Sequence, residues 1–265
     1  MKRQRHNEHR ARKRFGQNFL TDSLLIQRII DAIKPGPGQL ILEIGPGQAA
    51  VSIPLAESGA ELHLLEIDRD LARRLQSRLE RERLVQIHTG DAMKMNFAEI
   101  TGGRRFRLVG NLPYNISTPL LFHVLQWSEL VTDMHFMLQQ EVVKRMAASP
   151  GVKAWGRLSV MCQYHCQVIP LFGVPPEAFT PAPKVQSAFV RLVPHAQPPV
   201  EITDFASFEH LVNKAFSMRR KTLRNSLRGL LDASSIESAG IDPGKRPETL
   251  GLEQFAALSK LLENT

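Results

Sequence analysis

Three segments of this chain combine residue types and spacings that could do chemistry. The first is Glu43-Ile44-Gly45-Pro46-Gly47-Gln48-Ala49-Ala50, a G-x-G-x-x-A pattern. Small residues at these positions let a backbone turn tightly and approach a ligand closely. Glu66 stands 21 residues after Gly45, where a carboxylate accepts hydrogen bonds from ribose hydroxyls. Together they point to a cofactor containing adenosine, without separating a dinucleotide from another nucleoside. The second is Asp91 in Thr89-Gly90-Asp91-Ala92, a carboxylate that fits either a ligand contact or an Asx turn. The third is Gly110-Asn111-Leu112-Pro113-Tyr114. An exocyclic adenine amine is a poor nucleophile because its lone pair is delocalised into the ring. The Asn111 side-chain oxygen and a backbone carbonyl held by rigid Pro113 could accept its two N–H bonds and favour a pyramidal nitrogen. Tyr114 could stack on the base. The same residues also suit a strand-end turn, with the Tyr as packing.

These segments need a scaffold that brings them to one side. Short apolar runs at Leu40–Ile44, Glu61–Ile67, Leu84–His88, Phe106–Val109 and Met134–Leu138 predict strands. Helical spacing marks Ala49–Ser58, Asp70–Glu82, Thr118–Ser128 and Glu141–Ala148. An opening helix capped by Thr21 or Asp22 carries Ile26, Ile29, Ile30 and Ile33 and stops at Lys34-Pro35-Gly36. Alternation of this kind implies βαβ units and a largely parallel sheet. Each of the three segments follows a strand, so all lie at the carboxyl ends, the ligand side of such a sheet. Gln167–Phe172 and Ser187–Val193, joined by a proline-rich loop, predict an antiparallel edge. After the linker His195–Val200, residues 204–262 hold only helical patterns. We therefore expect an α/β fold with a small all-α C-terminal domain.

Composition narrows the classes. With 265 residues, 43% hydrophobic and 23% charged, the chain is neither disordered throughout nor a disulfide miniprotein. It has no window of the ~20 apolar residues a membrane span needs. No secretory signal is visible, and two cysteines, Cys162 and Cys166, suit a reducing compartment; a cytoplasmic location is expected. Cys162, His165 and Cys166 provide only three candidate ligands, so no metal is expected. The net charge of +8 is concentrated: residues 1–14 and 214–228 each carry +6, which leaves −4 for the rest. Two basic segments on a mildly acidic body are the footprint of a polyanion binder, although solvated tails and helix faces also look this way.

With these motifs in order, the chain resembles the ribosomal RNA adenine N6,N6-dimethyltransferases, in their bacterial small-subunit branch. The resemblance covers nearly the whole chain. It runs from Lys13-Arg14-Phe15-Gly16-Gln17-Asn18-Phe19-Leu20 through the Gly45 loop, Glu66, Gly90-Asp91-Ala92 and Asn111–Ser117. It continues in Pro176–Ser187 and in Arg219-Arg220-Lys221-Thr222-Leu223-Arg224-Asn225-Ser226-Leu227. It implies a Rossmann-like methyltransferase sheet over 15–198, a basic tail over 1–14 and a helical RNA-recognition domain over 199–265. The implied methyl donor is S-adenosyl-L-methionine. Gln17, Asn18, Leu20, Gly45, Gly47, Glu66, Asp91 and Asn111 would hold it. Asn111, Leu112, Pro113, Tyr114 and Phe179 would form the reacting centre and target-base pocket. Arg12, Lys13, Arg14, Arg219, Arg220, Lys221 and Arg224 would hold RNA. Alanine at position 50, where many relatives place glycine, is a departure that the motif tolerates.

The reaction implied is dimethylation of two adjacent adenosines in the loop of the 3′-terminal hairpin of 16S rRNA, late in small-subunit biogenesis. The implied partner is 16S rRNA in the immature small subunit, with the protein monomeric and away from membranes. A sulfonium methyl is already activated, so alignment replaces nucleophilic catalysis. The target base must leave its stack to react. Two alternatives stand beside this reading: a large-subunit rRNA methyltransferase of the macrolide-resistance type, and a catalytically silent assembly factor.

Overall fold

The computed structural model describes residues 17–218 and 220–262. In chain order the elements are β1 (Phe19–Leu20), α1 (Ser23–Ile33), β2 (Leu40–Ile44), α2 (Ser52–Glu57), β3 (Glu61–Glu66), α3 (Arg69–Arg78), β4 (Val85–Thr89), α4 (Phe97–Thr101), β5 (Phe106–Asn111), α5 (Ser117–Leu125), β6 (Val131–Gln139), α6 (Gln140–Met146), α7 (Arg157–His165), β7 (Cys166–Val174), β8 (Phe179–Thr180), β9 (Ser187–Pro194), α8 (Phe205–Phe216), α9 (Leu223–Ser226), α10 (Ala233–Ser238) and α11 (Leu252–Lys260). Seven strands form one sheet in the order β4-β3-β2-β5-β6-β9-β7. The pairs β2–β3, β2–β5, β3–β4 and β5–β6 are parallel, and the sheet has an antiparallel edge. β1 and β8 pair separately and antiparallel, with Leu20 opposite Phe179.

Local chemistry explains the element limits. Asp22 caps α1, its carboxylate accepting the Leu25 N–H at 3.0 Å. Leu25, Ile29 and Ile33 recur at four-residue spacing and are buried. Lys34 ends the helix in the left-handed region and donates its N–H to Ile30 at 2.7 Å, and Pro35 follows. The central strand β2 is buried along its whole length, as a sheet covered on both faces requires. The helix expected from Ala49 begins only at Ser52. Gly47 and Ala49 have positive φ, so the chain is still turning there. α4 and α7 were not expected. Asn96 caps the five-residue α4, which is too short to show a period. α7 has most of its first two turns buried, so it carries no amphipathic stripe.

The described residues fall into two compact units, which comprise 17–140 with 170–191 and 141–169 with 192–262. The second unit thus includes α7 as well as the C-terminal helices. Within it Tyr164 stacks on Phe205 at 5.4 Å, Phe216 packs on Phe255 at 5.6 Å and Arg157 pairs with Glu209 at 3.0 Å. Cys162 and Cys166 are buried free thiols. Burial pushes both up, Cys166 to about 12, so neither is a ready nucleophile at neutral pH. No helix among the described residues is long and apolar enough to cross a membrane.

Candidate active site

A cavity in the first unit opens at the carboxyl ends of β2, β3 and β5. Gln17, Asn18 and Leu20 line it, with Gly45, Gly47, Glu66 and Asn111–Tyr114. The glycine loop shapes its floor. Gly47 sits at φ +55, and a Cβ there would meet the Phe19 ring at 3.1 Å. Gly110, before Asn111, is tighter: a Cβ would lie 2.9 Å from the Ile44 carbonyl oxygen and 2.8 Å from the Leu112 side chain. Only glycine lets β5 pass so close to β2 where the cavity begins.

Glu66 is held by the loop it faces. Its two carboxylate oxygens accept the N–H groups of Gly47 at 3.1 Å and Asp68 at 2.9 Å. Burial nevertheless raises its pKa. A carboxylate oxygen has more than one lone pair, so Glu66 can still accept ribose hydroxyls. Asn111 has a defined orientation. Its Nδ2 donates to the Asn18 carbonyl at 3.1 Å, and only the amide nitrogen can donate to a carbonyl. Its Oδ1 is therefore the group left to accept. The Tyr114 hydroxyl bonds the Ser187 hydroxyl, and the Ser117 hydroxyl donates to the Tyr114 carbonyl at 3.2 Å. Tyr114 is thus held at its hydroxyl and at its backbone carbonyl.

The cavity also shows residues that sequence reasoning had not assigned. Glu43, Phe19, Ile67, Met137 and Phe189 line it. Glu43 Oε2 is buried with no hydrogen-bond partner among the described residues. Burial, with the Glu66 carboxylate nearby, lifts it to about 7. As the one carboxylate in the apolar run Leu40–Ile44, it was open to notice. Ile67 follows Glu66 and is 45% exposed, an apolar face beside the carboxylate. Met137 and Phe189 gave no signal, because strand pairing alone brings them here.

Two expected site residues lie apart from this lining. Asp91 closes its own turn, accepting the Met93 N–H at 3.0 Å. Phe179 is buried against Leu20 in the core. In the second unit Arg220, Lys221 and Arg224 are exposed. There the backbone is pinned by bonds from Leu223 to Lys245 at 2.8 Å and from Arg224 to Pro243 at 3.0 Å. Arg12, Lys13, Arg14 and Arg219 lie outside the described residues.

These residues fit a nucleoside donor with a charged amino-acid part. A tight glycine turn admits a ligand close to the backbone, Glu66 offers acceptors to ribose, and Glu43 offers an unpartnered oxygen to an ammonium. Fold and site together define an open α/β transferase of the Rossmann-like methyltransferase class. The sequence model of the family described as ribosomal RNA adenine dimethylase matches residues 8–264. A Ribosomal RNA small subunit methyltransferase A from Pseudomonas putida is 53% identical over 96% of this chain and 96% of its own length. One from Shewanella denitrificans is 50% identical over 97% of each. Among solved structures, a dimethyladenosine transferase from Plasmodium falciparum aligns with TM-score 0.77 and 24% identity, covering 91% of this chain and 95% of that one. The 23S rRNA methyltransferase ErmE aligns with TM-score 0.72 and 25% identity, covering 93% and 100%. The chain belongs to the ribosomal RNA adenine dimethylase family. It is an S-adenosylmethionine-dependent enzyme acting on rRNA adenine.

Proposed function

We propose that this enzyme dimethylates the N6 amines of two adjacent adenosines in the 3′-terminal hairpin loop of 16S rRNA. It would act in the cytoplasm, as a monomer, on an immature small subunit late in assembly. The relatives named above support the small-subunit target, since they match over almost the whole chain. The observation that carries the chemistry is the orientation of Asn111, whose amide nitrogen is occupied by Asn18 and whose oxygen is thereby free.

S-adenosylmethionine, when bound, supplies a sulfonium methyl that needs no further activation. The chain's own task is alignment and acceptance of hydrogen bonds. Gln17, Asn18 and Leu20 border the donor from the N-terminal side, the Gly45 loop lies along its amino-acid part, and Glu66 takes the ribose. Ile67 presents an apolar surface to the donor base. Asp91 remains a candidate for that base's amino group once its turn is approached by ligand. Asn111 Oδ1 accepts one N–H of the target amine. The Leu112 carbonyl accepts no hydrogen bond among the described residues and is the candidate for the other. The Pro113 carbonyl already takes the Ile116 N–H at 3.2 Å. Accepting both N–H bonds localises the nitrogen lone pair toward the methyl. Tyr114 stacks on the flipped base, and Phe179 supports that pocket from the core through its pairing with Leu20. The segment containing Arg219, Arg220, Lys221 and Arg224 holds RNA backbone, as does the tail with Arg12, Lys13 and Arg14.

The test is methyl transfer from labelled donor to immature small subunits, naked small- and large-subunit rRNA, and duplex DNA, with nucleoside analysis of the product. Dimethyladenosine from immature small subunits is the expected result. Label confined to large-subunit rRNA, or tight subunit binding without transfer, would overturn it.

A further inference from the structure

The first unit has a second cleft, of about 560 Å³, at the opposite end of the sheet from the donor cavity. Arg107 at the start of β5 lines it, and Asn111 at the end of the same strand lines the donor cavity. At ~3.3 Å per residue these ends are roughly 13 Å apart. Lys34, Arg105, Arg107, Arg191 and Asp133 supply the charged groups of the cleft. Four cations therefore face one carboxylate.

That carboxylate is already committed. Asp133 accepts from Arg107 Nε at 2.8 Å and Nη2 at 3.0 Å, and from Arg191 Nε at 3.1 Å and Nη2 at 2.9 Å. Its side chain is 3% exposed. Burial pushes it up, but the Arg107 bonds and the surrounding cations hold its pKa below the usual range. Arg107 spends its remaining amine on the Gln39 side chain and the Lys34 carbonyl. Arg191, whose side chain is 42% exposed, keeps its Nη1 donors. Lys34 and Arg105 are exposed, and their side chains make no hydrogen bond or ion pair among the described residues. His135, behind Asp133, is pulled down to about 4 by burial and adds no charge at neutral pH.

Three cations with free donors around one concave space suit a phosphate oxyanion. The lining offers no base platform, because its one aromatic residue, Phe106, is buried. Such a cleft can grip a backbone phosphate but cannot read a base. We propose that this cleft binds a phosphodiester of the rRNA substrate and gives the catalytic unit an RNA contact at the far end of its sheet. The proposal rests on the rRNA reading above.

The test is the double variant Lys34→Gln/Arg105→Gln, which removes two unpaired cations and leaves the Asp133 cluster intact. Affinity for small-subunit rRNA is measured as a function of salt, with donor binding as the control for folding. Loss of this one phosphate contact reduces the log–log salt slope by about 0.7 and weakens binding roughly 5-fold at about 0.1 M salt. An unchanged slope and affinity, in a preparation whose wild type binds and methylates rRNA, would overturn the cleft alone. Failure of the wild type to bind rRNA would instead overturn the reading of function. Inorganic pyrophosphate, titrated without RNA, separates the sources of phosphate. Pyrophosphate binding lost in the double variant, with an unchanged RNA slope, would assign the cleft to a free phosphate and overturn the RNA contact.

Discussion

Replacing Asn111 with Ala removes two things that the structure distinguishes. One is the Nδ2–H bond to the Asn18 carbonyl at 3.1 Å, an ordinary neutral hydrogen bond contributing about 1 kcal/mol to stability. The other is Oδ1, the acceptor proposed for the target amine. An acceptor preorganised for charge developing in a transition state is worth roughly 3–4 kcal/mol, or about 10²–10³ in rate. Single-turnover methyl transfer to small-subunit rRNA should therefore fall by about that factor, while RNA affinity stays close to wild type. Asn111→Asp separates the two effects. It keeps an acceptor but places a carboxylate oxygen against the Asn18 carbonyl, so it should lose stability yet retain more transfer than Asn111→Ala. A fall of less than about tenfold for Asn111→Ala would refute the assigned role, because so small a change is that of a packing residue. Equal losses of binding and transfer would refute it as well. Neutralising Arg219, Arg220 and Lys221 should do the reverse, weakening binding and its salt slope with little effect on the chemical step.

Two further outcomes follow from side chains around the cavity. Ser187→Ala frees the Tyr114 hydroxyl, and transfer should fall severalfold with donor binding unchanged. If Ser187 acts through that hydroxyl, Ser187→Ala adds nothing to Tyr114→Phe, and additive losses in the double variant would exclude the coupling. Glu43 has its carboxyl raised from 4.5 to about 7. In a donor-free protein its cost to stability is absent below pH 4.5, grows as pH rises toward 7 and then stays constant, reaching roughly 3 kcal/mol. Denaturant unfolding of Glu43→Gln against wild type should show the variant more stable at pH 8, with the gap closing as pH falls toward 4.5. A gap independent of pH would contradict a protonated Glu43.

Much of the fold was legible because its signals are local. Leu40–Ile44 is an apolar run broken only by Glu43 and is a strand with those bounds. The spacing of Ile26, Ile29, Ile30 and Ile33 marks a helix, and α1 buries Ile29 and Ile33 of that set together with Leu25. What escaped was either too short for a period, as in α4 and the β1–β8 pair, or buried on most sides, as in α7. The site divided along the same line. Glycines, a carboxylate and an Asn-Leu-Pro-Tyr turn announce themselves by residue type and spacing. Met137 and Phe189 reach the cavity through pairing across the sheet, which no single segment records. Asp91, which bonds its own turn, and Phe179, which packs in the core, lie away from the cavity lining.

The amino-acid sequence by itself determined most of the alternation of strands and helices, the residues at the strand ends and the family to which the chain belongs. These are properties of contiguous segments. The tertiary structure alone decided which polar atoms remain available. The Asn18 carbonyl takes the Asn111 nitrogen, the Ser187 hydroxyl holds Tyr114, and one Asp133 serves two guanidiniums while Lys34 and Arg105 are left without partners among the described residues. Each depends on groups distant in sequence meeting within hydrogen-bond range. Only close packing of the folded chain can arrange that.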